Sequence, residues 1–178
     1  VLNVTDNHLD RYPSFFAYAA SKERLFAHAG AQVLNRDDVW SMSMRRPAVP
    51  CATFGASAPQ QADDFGLGSD QGGHGDAELL MRGSDVVLPL SALGIRGQHN
   101  ALNALAALAL TIDFAVPIEQ QRAVLRRFAG MPHRCQYLGG INGVAVIDDS
   151  KATTVIATAA ALTGLAQPTW LIAGGDGK

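Results

Sequence analysis

Short apolar runs, each the length of one strand, alternate with longer segments of helical character along most of the chain, and that alternation restricts the fold more than any other feature. Val1-Leu2-Asn3-Val4 reads as the end of a buried strand. A polar turn follows, and Pro13 or Ser14 opens a helix to about Ala29, with Gly30 as its stop. Gln32–Asn35 is a short strand, residues 55–84 read as loops with hairpin strands such as Ala77–Met81, and Asp85–Leu90 is another strand. Gly97-Gln98-His99-Asn100 leads into an Ala/Leu-rich helix to about Phe114, and Pro117 suits the first turn of a helix ending near Phe128. Gly130-Met131-Pro132 breaks the pattern. After it come strands near Gln136–Leu138 and Val144–Ile147 around a turn at Gly139-Gly140, a helix from about Thr154 to Leu165, and a buried strand at Trp170–Ala173. Strands alternating with helices predict an α/β fold with a largely parallel sheet.

With 178 residues the chain holds one ordinary domain or parts of two. The break at Gly130 predicts the second arrangement, with residues 1–130 and 131–178 in different domains. Both ends read as interruptions of longer structure: a strand opens the chain, and Gly174-Gly175-Asp176-Gly177-Lys178 stops where a loop or helix should follow.

A net charge of −2 gives no global attraction to nucleic acid or an anionic membrane. The longest apolar run, near Ala104–Leu110, is too short to span a bilayer. Two cysteines are too few for a disulfide framework or a cysteine metal site, so a reducing, cytoplasmic setting is expected. Lysine is scarce: the 14 cationic residues include only Lys22, Lys151 and Lys178. In an arginine-rich background, a lysine can mark a place where a compact, titratable amine is needed, although chance composition gives the same count.

Lys22 carries the clearest geometric argument. At about 100° per residue, Phe15, Ala19, Lys22, Phe26 and Ala29 share one helix face, opposite Ser21, Arg24 and His28. An amine in an apolar stripe is pushed toward its neutral, nucleophilic form, which can add carbon dioxide to give a carbamate. The alternative is a lysine that snorkels out along the helix. Asn7, His8 and Asp10 cluster just after a strand, where α/β sheets gather ligands, and a His with nearby carboxylates suits a divalent metal; an ordinary Asx-capped turn is the other reading.

Asn100 and Asn103 are spaced i, i+3 on the first turns of a helix, and amides can read an adenine edge. Asn100 also suits a plain N-cap, which leaves Asn103 unexplained. Asp148-Asp149-Ser150-Lys151-Ala152-Thr153 places acids, hydroxyls and an amine in a strand-to-helix turn, either for phosphate chemistry or simply as caps. Pro132-His133-Arg134 puts a cation at the proposed boundary. The glycine-rich end, residues 174–178, is not a phosphate loop, because the leading glycine would fall at Ile172 and no Ser or Thr follows Lys178.

In order and spacing these segments resemble the Mur ligases. Asn3-Val4-Thr5-x-x-His8-Leu9-Asp10-Arg11 is similar to that family's metal motif, Ala20-x-Lys22-x-Arg24 to its carbamylated-lysine helix, and Gly97-x-His99-Asn100-x-x-Asn103-Ala104 to its adenine-side helix. Pro132-His133-Arg134, Asp149-Ser150-Lys151-Ala152-Thr153 and Gly174-Gly175-Asp176-Gly177-Lys178 resemble motifs of its C-terminal domain, the last two pointing to the D-glutamate-adding branch. Two departures stand out: Asn7 replaces the acid usual before the histidine, and Thr154-Val155-Ile156 replaces a more polar helix start.

The resemblance implies the second half of a central ATPase domain, with a mainly parallel sheet, followed by the start of a Rossmann-like C-terminal domain that binds an amino acid. It implies transfer of the ATP γ-phosphoryl group to the carboxylate of UDP-N-acetylmuramoyl-L-alanine, then attack by D-glutamate on the acyl phosphate. His8 and carbamylated Lys22 would hold magnesium (Mg2+) and act catalytically. Asn100 and Asn103 would face the adenosine, Arg134, Asp149 and Lys151 the nucleotide, and Thr153 and Lys178 the D-glutamate. The full-length protein is expected to be a monomer. The sequence has no glycine-rich ATP phosphate loop, so the chain alone is expected to be inactive. Another ligase of the superfamily, such as one resembling folylpolyglutamate synthases, and a non-catalytic binding module are the competing readings.

Overall fold

The computed structural model describes residues 1–5, 10–69, 77–165 and 167–175. It divides into two compact units, Val1–Ala129 and Gly130–Lys178, parting at the Gly130-Met131-Pro132 break.

In the first unit, β1 (Gln32–Asn35), β2 (Cys51–Gly55), β3 (Phe65–Ser69), β4 (Glu78–Arg82) and β5 (Asp85–Pro89) form one sheet in that order. β1, β2 and β3 pair in parallel, while β4 pairs antiparallel with both neighbours. Four of the five strands therefore run the same way, and β4 is the reversed arm of a hairpin that turns at Gly83 (φ 52°), a conformation glycine takes without strain.

Helix α3 (Gln98–Leu110) lies on this sheet. Its buried residues are Ala101, Ala104, Leu105, Ala106, Leu108 and Ala109. The alanines let the helix approach the strands closely, and Leu105 reaches the cluster formed by Phe54, Phe65, Leu80 and Leu88. A second cluster gathers Val4, Phe26, Leu34 and Met44 around Tyr18 and Ala19 of α1 (Phe15–Glu23). α1 begins where the Ser14 hydroxyl accepts from the Ala17 amide (3.2 Å), and α2 (Val39–Ser43) where Asp38 accepts from the Ser41 amide (2.6 Å).

A chain of polar side chains crosses β1 and β2, although the Arg36 Nε within it is buried without a partner. Arg36, just past β1, donates to the Thr53 hydroxyl (2.8 Å) and the Ser57 carbonyl (3.0 Å), and Thr53 donates to Asp64. At the far border, Arg122 of α4 (Ile118–Arg127) donates to the carbonyls of Val86 (2.9 Å) and Val87 (2.8 Å) on β5.

In the second unit, β6 (Gln136–Ile141) and β7 (Val144–Asp148) form an antiparallel hairpin, and α5 (Val155–Thr163) follows it. The Thr154 hydroxyl caps α5 by accepting from the Ala157 amide (3.2 Å).

Several sequence expectations need correction. Val1–Val4 is not a strand, because side chains take its backbone groups: Asn35 donates to the Leu2 carbonyl (2.8 Å), Ser41 to the Val1 carbonyl (3.0 Å), and Asp38 accepts from the Val4 amide (3.0 Å). Trp170–Ala173 is neither a strand nor buried, with Trp170 97% and Ile172 98% exposed, and it has no ladder partner among the described residues. The hairpin turns at Asn142-Gly143 (φ 51° and 81°), the pairing that two-residue hairpin turns prefer, and not at Gly139-Gly140. Gly139 (φ 140°) instead lies at a register shift inside β6. Two elements, α2 and the interior strand β2, carry no sequence signal that predicts them.

Candidate functional site

The first-unit candidates stand at the ends of helices. Lys22 is in the last turn of α1 and is exposed, its Nζ lying 4.9 Å from the centre of the Tyr18 ring. This corrects its expected place in the apolar stripe. Tyr18, Ala19 and Phe26 are the buried positions, and Arg24–Phe26 winds as a 3-10 turn, so 100° steps lose phase before Phe26. The amine extends past the Tyr18 face in a cation–π contact. Arg11, Tyr12, Tyr18 and Lys22 together line a recess with two cations and two aromatic rings. His8, the other residue expected to hold magnesium, lies outside the described residues.

Asn100 is not the N-cap of α3. Gly97 holds that position with φ 93°, and the Asn100 side chain donates back to the Arg96 carbonyl (2.7 Å), closing the loop onto the helix. Asn103, one turn on, is exposed. Both amides thus sit on the first turns of one helix, Asn100 half-buried and Asn103 open to solvent.

In the second unit the structure brings Arg134, Asp149 and Lys151 into one knot of turns. The Asp149 carboxylate accepts from the Cys135 amide (3.0 Å), and the Lys151 amide donates to the His133 carbonyl (3.1 Å). The His133 ring meets Asp148 at 2.6 Å, and Asp148 also accepts from the Ser150 amide (2.9 Å). Arg134 and Lys151 are exposed, so two cations project from turns that are tied together. Thr153 is exposed one residue before the α5 cap, and Lys178 lies outside the described residues. Sequence reasoning missed Asp148 and His133 as a pair; only their flanking positions beside Arg134 and Asp149 could have drawn attention to them.

The hydrogen bond from His133 holds the Asp148 carboxyl below the ordinary aspartate range, helped by the Ser150 amide. A carboxyl lowered on folding contributes stability that is present above its unfolded-state pKa and is lost as pH falls through the lower folded value. A carboxyl-carbon NMR titration of Asp148 is expected to show a midpoint below the usual aspartate value, moving up toward it in His133→Ala, where the Ser150 amide still remains. Burial, and then the neighbouring Asp149, push the Cys135 thiol up, so it is not an activated nucleophile.

Among the described residues no group of three or more His, Cys, Asp or Glu is placed to hold a metal. The exposed cations suit an anionic ligand, whereas the carboxylates Asp64 and Asp149 are occupied by protein donors. No helix among the described residues is long and apolar enough to cross a membrane.

Comparison with known proteins agrees with the sheet and helices. Across its whole length the chain is 49% identical to the UDP-N-acetylmuramoylalanine–D-glutamate ligase of Methylobacillus flagellatus and, across an aligned 180 residues, 47% identical to that of Nitrosospira multiformis. It spans 38% and 37% of those two relatives' lengths. Among solved structures it resembles a pseudomurein peptide ligase type C from Methanothermus fervidus, with a TM-score of 0.72 at 17% identity, covering 95% of this chain and 41% of that one. It also resembles the UDP-N-acetylmuramate-alanine ligase MurC of Thermotoga maritima, with a TM-score of 0.68 at 22% identity, covering 92% and 36%. Residues 1–111 match the Mur ligase middle domain, and the chain therefore belongs to the Mur ligase family.

Proposed function

We propose that this chain is part of an ATP-dependent, cytoplasmic ligase that joins D-glutamate to UDP-N-acetylmuramoyl-L-alanine in peptidoglycan precursor synthesis. The observation that carries the reading is 49% identity over the full chain to a ligase named for that reaction, with the motif residues in order. In this reading residues 1–130 belong to the central ATP-binding domain and residues 131–178 begin the amino-acid-binding domain. The complete protein acts as a monomer.

When bound, ATP with magnesium supplies the phosphoryl group that activates the substrate carboxylate. The residues of this chain bind and orient. Asn100 and Asn103 face the adenosine, the latter through an amide free of the helix packing. Arg134 and Lys151 offset anionic charge, which is the main demand of phosphoryl transfer. Asp149 acts by fixing the turn at Cys135, consistent with its contact there. His8 and Lys22, the latter as a carbamate, serve magnesium, and Thr153 and Lys178 meet the incoming D-glutamate.

The test is phosphate release by the complete ligase. Turnover is expected only when ATP, UDP-N-acetylmuramoyl-L-alanine and D-glutamate are all present. Equal turnover with L-glutamate, or with a folate acceptor in place of the UDP-sugar, would overturn the assignment. The 178-residue chain alone is expected to show no turnover, because its sequence has no Gly-x-x-x-x-Gly-Lys-[Ser/Thr] loop to cradle the phosphates.

A further inference from the structure

Arg134 stands between two non-glycine residues with left-handed backbones, His133 (φ 63°) and Cys135 (φ 46°). Such conformations persist where surrounding contacts over-determine them, and they concentrate at ligand sites. Here the contacts come from the turn carrying Lys151. One carboxylate joins the two segments: Asp148 Oδ2 meets His133 Nδ1 at 2.6 Å, while Oδ1 accepts from the Ser150 amide at 2.9 Å. The His133 carbonyl in turn accepts from the Lys151 amide at 3.1 Å. The His133 and Asp148 side chains remain 55% and 23% exposed, and ion pairs open to solvent add little to stability. What the pair does fix is direction, because it locks the ring of the residue before Arg134 to the turn before Lys151.

We propose that His133 and Asp148 are positioning residues whose side-chain clasp orients Arg134 and Lys151 and thereby sets how tightly the nucleotide is held. This rests on the proposed function, in which those two cations serve the nucleotide. Both side chains of the clasp are spent on protein partners, so it acts on nucleotide affinity more than on the chemical step.

The experiment uses the complete ligase with His133→Ala, Asp148→Ala, both together, and Asp148→Asn. Each alanine variant is expected to raise KM for ATP about fivefold, with kcat and KM for the UDP-sugar substrate within about twofold. The doubly substituted protein should be no worse than either single one, since either change opens the same clasp. Asp148→Asn should keep most of the wild-type KM, because an amide oxygen still accepts from a protonated Nδ1.

Additive effects of the two alanines, a fall in kcat and melting temperature with KM for ATP unchanged, or an asparagine variant no better than alanine would each overturn the inference. Direct titration with AMP-PNP reads the same shift in Kd without turnover. A wild type that binds this analogue but makes no amide would therefore refute the proposed function while leaving the clasp open to its own test. A wild type that binds no nucleotide would overturn both.

Discussion

Replacing Lys22 by alanine in the complete ligase is expected to lower kcat by roughly a hundredfold or more, the scale seen when a group serving charge stabilisation is lost. Lys22 is exposed, and its Nζ runs along the Tyr18 ring beside Arg11 and Tyr12, so the amine is open to small solutes. Under the proposed function its neutral amine would add to carbon dioxide and lose a proton, giving a carbamate whose oxygens would serve magnesium. Short carboxylic acids added to Lys22→Ala should then restore part of the activity by supplying those oxygens. Lys22→Arg should stay as inactive as alanine, since guanidinium forms no carbamate under these conditions. Full activity in Lys22→Arg, read by phosphate release, rules the carbamate out.

The second large effect is on stability. Leu105→Ala is expected to cost about 3 kcal/mol, from lost transfer free energy and the cavity left behind. Leu105 is fully buried where α3 meets Phe54, Phe65, Leu80 and Leu88, so truncating it leaves a void inside a closely packed core. Leu110→Ala, on the same helix but 60% exposed, should change stability by less than about 0.5 kcal/mol. Urea unfolding followed by the fluorescence of half-buried Trp40 measures both. Equal costs at the two positions would mean that α3 packs by another face.

The contrast between these two leucines was not readable in the sequence, because residues 104–110 are apolar throughout, but helix α3 itself was. So was the hairpin at Arg82-Gly83-Ser84-Asp85, with a turn signal between apolar strands. β2 was not readable. Cys51-Ala-Thr-Phe-Gly55 has neither alternation nor a run of β-branched residues, and it is a strand because β1 and β3 flank it on both sides. Thr53, which looks like a surface residue on paper, is buried because Arg36 and Asp64 arrive from other segments. α2 is five residues long, and its hold is the Asp38 cap and the docking of Ser41 against Asn35, neither visible as periodicity.

At the candidate site the identity of the residues was legible and their environment was not. Lys22 belongs to the right helix but has the wrong burial, since a 3-10 turn changes the winding just after it. Asn100 turns its amide to its own loop, a contact that depends on the left-handed Gly97 before it. Arg134, Asp149 and Lys151 are close in the second unit through hydrogen bonds between turns 14 to 18 residues apart in sequence, a relation that spacing alone cannot express.

Arg122 has a consequence for self-association. β5 ends the five-stranded sheet, and a strand in that place offers its free acceptors to any extended chain that drifts alongside. The guanidinium from α4 already occupies the carbonyls of Val86 and Val87, and Glu119 holds it there at 2.5 Å. A foreign strand would have to displace a charged, multiply bonded group before laying down its first rung. The helix that decorates this border therefore also guards the Val86-Val87 stretch of β5 against strand addition.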